Sequence, residues 1–224
     1  MENHTTKNIV SAIGFGFFAL LAAGSINVGD ISLPFGKQIN IDSINAAKDS
    51  LGASLEMTQD KSLQSKKEIK DAYTQMKTYL SENNLTDGNL AIMERNLDSM
   101  KAKYKAFKDT VEKCRDDSDN LFNMLEKRAN ENKTESLKKQ LKEKIKGKRK
   151  TFDGHIEKAQ EVLVKVDQSI QKYNDLVGYF QVNKGLEGVD KIMDEIDGVI
   201  AAGELLNEQI NTFVQDSMVV LKEL

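Results

Sequence analysis

Between Leu90 and Leu125 apolar residues return at intervals of three and then four. The positions are Leu90, Met93, Leu97, Met100, Tyr104, Phe107, Val111, Cys114, Leu121 and Leu125, with Ser118 as the only polar member. On an α-helix that spacing draws one continuous apolar stripe, whereas on a strand it would scatter the same residues over both faces. A repeat averaging 3.5 residues is the seam of a coiled coil, and it coils its helices left-handedly around one another. Cys114 lies on the seam, so it reads as a buried packing thiol rather than a reactive one.

The rest of the chain agrees with a helical reading. It has 224 residues with one Pro and no Trp, 6% are aromatic and 30% are charged, a composition that suits long helices better than a sandwich or barrel. The predicted fold is all-α: an N-terminal transmembrane helix followed by an elongated antiparallel coiled-coil helical bundle over residues 42–224. Helices are expected at 42–83 and 87–130, with a basic extension at 134–150, and then at 153–182 and 186–223. The run Asn83-Asn84-Leu85-Thr86-Asp87-Gly88 combines stop residues with caps and reads as a hairpin turn. Polar residues from Asn130 to Thr134 mark a second break. A competing geometry continues that helix to residue 147 and turns at Gly147 to Gly154. The fourth helix carries Gly188, Gly198 and Gly203, which lower its intrinsic helicity and make it dependent on partners.

A tail over residues 1–8 precedes Ile9 to Val28, twenty positions without a charged side chain, long enough as a helix to cross about 30 Å of hydrocarbon. The expected location is therefore a single-pass membrane placement with the sidedness open. The alternative is a cleaved secretory signal, which would make the chain a secreted one. A helical Ile9 to Val28 would align Ala12, Gly16, Ala19 and Ala23 into a stripe of small residues along which another backbone can approach. Residues 29–41 contain the only Pro and read as an extended connector.

Charge is unevenly placed along a chain whose net charge is -3. Residues 87–151 hold 18 Lys/Arg against 12 Asp/Glu, and residues 152–224 hold 6 against 14, so the two segments should attract. The basic excess concentrates in Lys138, Lys139, Lys142, Lys144, Lys146, Lys148, Arg149 and Lys150, opposed by Glu143 alone. This run is the candidate contact with anionic lipid. It has no interleaved aromatic residue, so nucleic acid is not the expected partner.

Catalytic chemistry finds no foothold in the sequence. One Cys and two His exclude a disulfide framework and leave little for metal or acid/base work, and no phosphate loop, zinc motif, calcium loop or nucleophile elbow occurs in a credible setting. No cofactor, metal or enzymatic role is expected. The function expected is that of a membrane-anchored coiled-coil scaffolding subunit, assembling with itself or with protein partners. The alternatives are a membrane-active helical protein, pore-forming or remodelling, and a secreted helical binding domain.

Overall fold

The computed structural model describes residues 40–183 and 189–224. The described residues are all-helical: α1 (Ile41–Ser81), α2 (Asp87–Asn130), α3 (Glu135–Val182) and α4 (Val189–Lys222). At about 1.5 Å per residue these rods run from roughly 50 Å for α4 to roughly 70 Å for α3.

Local chemistry sets the ends of the first two helices. The Asn40 side chain accepts the Asp42 amide at 3.2 Å, opening α1. At its far end Asn83 adopts φ 51°, and the amides of Asn84 and Asn83 return to the carbonyls of Tyr79 and Leu80. This closure tolerates asparagine in the left-handed region where most side chains are strained. Thr86 then accepts the Asn89 amide at 3.3 Å and starts α2. The second break follows the same logic: Asn132 Oδ1 accepts the Thr134 amide at 2.9 Å between α2 and α3.

Each helix runs antiparallel to its chain neighbour. Thr58 meets Cys114 and Gln75 meets Asn96 across α1 and α2, while Asp119 meets Arg149 and Glu94 meets Gln181 across α2 and α3. Lys148 pairs with Glu223 and Lys172 with Glu195 across α3 and α4, and α4 closes the ring on α1 through Gln59–Asn211 and Lys77–Asp197. The acidic last segment is thus flanked by lysines of both neighbouring helices. Along the axis lies one apolar core, in which Leu51, Tyr73, Met93, Phe122, Phe152, Tyr173 and Ile210 are inaccessible to solvent.

Two expectations change. The basic extension and the helix expected at 153–182 form one continuous α3, which passes through Gly147 and Gly154 without a break. Each glycine costs up to about 1 kcal/mol of helix propensity. Burying Leu141, Ile145, Phe152 and Ile156 on one face outweighs that cost, at about 1.5–3 kcal/mol per large side chain. The single-pass membrane placement is also corrected: among the described residues no helix is long and apolar enough to cross a membrane. The stretch Ile9 to Val28, with Ala12, Gly16, Ala19 and Ala23, lies outside the described residues.

Candidate functional site

The seam read from α2 faces the core. Leu90, Met93, Leu97, Met100, Phe107, Val111, Cys114, Leu121 and Leu125 are buried, and Tyr104 is partly buried against them. Cys114 packs with its Sγ 3.3 Å from Thr58 Oγ1, and burial pushes its thiol up to about 11. A thiol so shielded is almost entirely protonated at neutral pH and is a packing group.

The middle of α1 shows what the sequence reading passed over. Ser54, Thr58, Ser62 and Ser65 are all buried, because the three-then-four rhythm of Leu51, Leu55 and Ile69 continues through positions 58, 62 and 65. Thr58 hydrogen-bonds to the Ser54 carbonyl at 2.8 Å. Ser54 also contacts the Asp117 carboxylate, which accepts from Lys113 at 2.7 Å and from Ser50 at 3.2 Å. Burial works against ionised Asp117, yet the Lys113 ammonium and the two hydroxyls outweigh it and hold the carboxyl below the usual range. Lys113 Nζ lies 2.9 Å from Ser54 Oγ, a pairing that resembles an activated nucleophile. Ser54 is only 1% exposed, however, so the arrangement joins α1 to α2 and offers no approach to a substrate.

Lower on α1, Ser62 meets Asn207 of α4 at 3.5 Å. Beside them lies a gap of about 30 Å³ reaching Phe107 of α2, Val162 and Val166 of α3, and Gly203 of α4. Further along α4, Ser217 lies 3.3 Å from His155 Nδ1, and burial of the imidazole lowers its pKa.

The basic run divides. Arg149 Nη2 donates to Asp119 at 2.6 Å, and its Nη1 reaches Asn123 and Glu126 at 3.1 and 3.3 Å, tying α3 to α2. Lys148 pairs with Glu223 just beyond the end of α4, Lys138 lies 3.8 Å from Glu135, and Lys144 is exposed but also has an interaction. Lys139, Lys142, Lys146 and Lys150 are exposed, and no ion pair is shown for them among the described residues. Their spacing of three, four and four sets them in one stripe along the outer face of α3.

The outer face of α4 is nearly uncharged over one window. From Gly198 to Leu205 the only charged residue is Glu204, which turns aside to Lys66 and Lys70 of α1. Gly198, Ala201 and Ala202 are exposed there, and Leu205 is 57% exposed. Leu205 stands between two surface grooves of about 450 and 370 Å³ that follow the α3–α4 seam, one lined by His155 and Thr212 and the other by Lys172 and Val199.

Among the described residues no group of three or more His, Cys, Asp or Glu is placed to hold a metal ion. The fold class defined by these residues is an all-α four-helix bundle. No family model, curated protein or solved structure matches the chain.

Proposed function

We propose that the chain is a non-catalytic scaffolding bundle that holds a second copy of itself, or a helix of a partner protein, on the outer face of α4. The observation that carries this reading is the Gly198–Leu205 window, where small side chains expose backbone and Leu205 projects between two grooves. Small residues let another helix approach closely, and a projecting leucine supplies the anchor that such helix-in-groove contacts use. The alternative of catalysis is disfavoured by the closure of Ser54 and Cys114 from solvent, since both serve interhelical packing.

Sedimentation of the chain at micromolar concentrations, with and without Leu205→Glu, tests the self-assembly arm. A photo-crosslinking residue at position 201 in cells tests the partner arm. A species heavier than the monomer that Leu205→Glu dissociates, or a discrete adduct lost in the same variant, supports the reading. A monomer that gives no adduct refutes it.

A second reading rests on the stripe of Lys139, Lys142, Lys146 and Lys150, whose charges are directed outward along one face of α3. We infer that this stripe meets an anionic surface, with each lysine contributing on the order of 1 kcal/mol near acidic headgroups. Flotation with phosphatidylserine vesicles tests it. Replacing all four lysines by glutamate is expected to abolish binding that the native chain shows, and equal flotation of both forms would exclude the stripe.

A further inference from the structure

The gap beneath Gly203 has a feature that sets it apart from an ordinary packing defect. Ser65, 1% exposed, borders it, and the Ser65 hydroxyl is buried without a hydrogen-bond partner. Other hydroxyls of this bundle return to carbonyls of their own helix: Thr58 to Ser54, Thr110 to Phe107, Ser118 to Arg115 and Ser169 to Lys165. Ser65 forms no such bond. Opposite it, Gly203 lines the same gap and brings no side chain into it.

We propose that this gap is a binding site for one buried water molecule, anchored by Ser65 and bridging α1 to α4. Its volume of about 30 Å³ exceeds the roughly 10–15 Å³ that a cavity needs to hold one water molecule. An apolar guest such as benzene needs a cavity of roughly 150 Å³, which excludes organic ligands of that size. A buried water requires two to four polar partners. Ser65 supplies one unused hydroxyl, Ser62 and Asn207 border the same space, and the partly exposed Lys66, Lys70 and Glu204 form its rim. The Ser62–Asn207 contact of 3.5 Å is long enough to leave both with hydrogen-bonding capacity. An unpaired buried hydroxyl costs more than immobilising one water, so occupancy is the lower-energy state. The result is a wet polar layer midway along the α1–α4 seam, where Ile69 and Leu206 close the apolar contacts around it. Because those polar groups face each other only in one register, the layer sets how far α4 slides along α1.

Water-to-protein nuclear Overhauser spectra of the full chain, labelled at valine and isoleucine methyls, test the site. Long-lived water signals are expected at Val162, Val166 and Val199, and Ser65→Ala should remove them while leaving the helical spectrum intact. Xenon titration provides the contrary arm. A wild-type chain without those water signals overturns the proposal whether or not xenon shifts the Val166 methyls. Signals unchanged in Ser65→Ala would remove Ser65 as the anchor and overturn it equally.

Discussion

Tyr73 of α1 and Tyr173 of α3 meet edge to face across the diagonal of the bundle, with ring centroids 5.1 Å apart and planes at 82°. Both rings are fully buried, but their hydroxyls are treated differently. Tyr73 donates to the Ser169 carbonyl at 2.7 Å, whereas the Tyr173 hydroxyl has only a weaker, poorly aligned interaction with the Asn96 side chain. A buried hydrogen bond contributes about 1 kcal/mol, and a poorly aligned one contributes less. Urea unfolding is therefore expected to show Tyr73→Phe destabilised by about 1 kcal/mol and Tyr173→Phe by clearly less. Equal losses in both variants would contradict this asymmetry.

The same pair sets the alkaline limit. Burial raises both phenols, Tyr173 to about 12 and Tyr73 further, while unfolded tyrosine titrates near 10. Above pH 10 the unfolded chain has therefore released protons that the folded chain retains. Stability is intact below pH 10 and falls as pH rises, by about 1.4 kcal/mol per pH unit for each ring. Denaturation midpoints measured from pH 9 to 11.5 should decline over this window, and Tyr173→Phe should make the decline shallower.

Cys114 is expected to resist alkylation in the folded chain at pH 8 and to react once urea unfolds it. Its thiol is fully buried against Thr58 and shifted up to about 11. Mass spectrometry after a timed iodoacetamide pulse reads the difference. Rapid labelling without denaturant would show that α1 and α2 part locally at this level.

Arg149 joins three α2 side chains through a planar fork that lysine cannot reproduce. The pairs are partly exposed, which limits their worth. Arg149→Ala is expected to lower stability by about 1 kcal/mol at low salt and by roughly half that in 1 M NaCl, where exposed charges are screened. Arg149→Lys should recover only part of the loss.

Gly147 and Gly154 lie within α3, and a methyl group at either would meet nothing within 4 Å. Alanine there relieves backbone entropy without a clash, so each change should stabilise by about 0.5–1 kcal/mol. Calorimetry of the double variant should show a higher Tm, and a lower one would mean that α3 is not helical through this stretch.

Much of the architecture could be read from residue spacing. The α2 seam, the Asn83–Thr86 turn and the Asn130–Thr134 break are local signals whose chemistry acts within a few residues. The fate of the α1 middle was harder to read. Thr58 and Ser62 look like interruptions of an apolar stripe, and only their opposition to Cys114 and Asn207 explains how small polar groups occupy a core. Arg149 and Lys148 were likewise indistinguishable from their basic neighbours until α2 and α4 were placed beside them. In α3, one glycine after Lys146 and another after Asp153 resemble a turn, and burial of Phe152 between them decides otherwise.

By itself, then, the order of residues dictated that the described chain is helical and which stripe of α2 is apolar, because helix periodicity is expressed between residues three and four apart. Which helices became neighbours was settled only in three dimensions. Ser54 with Asp117, Lys66 with Glu204 and Tyr73 with Tyr173 are separated by 63 to 138 positions, and no local rhythm encodes such meetings. The hydrated gap under Gly203 belongs to the same category, since a cavity is a property of four surfaces that fail to fill one space.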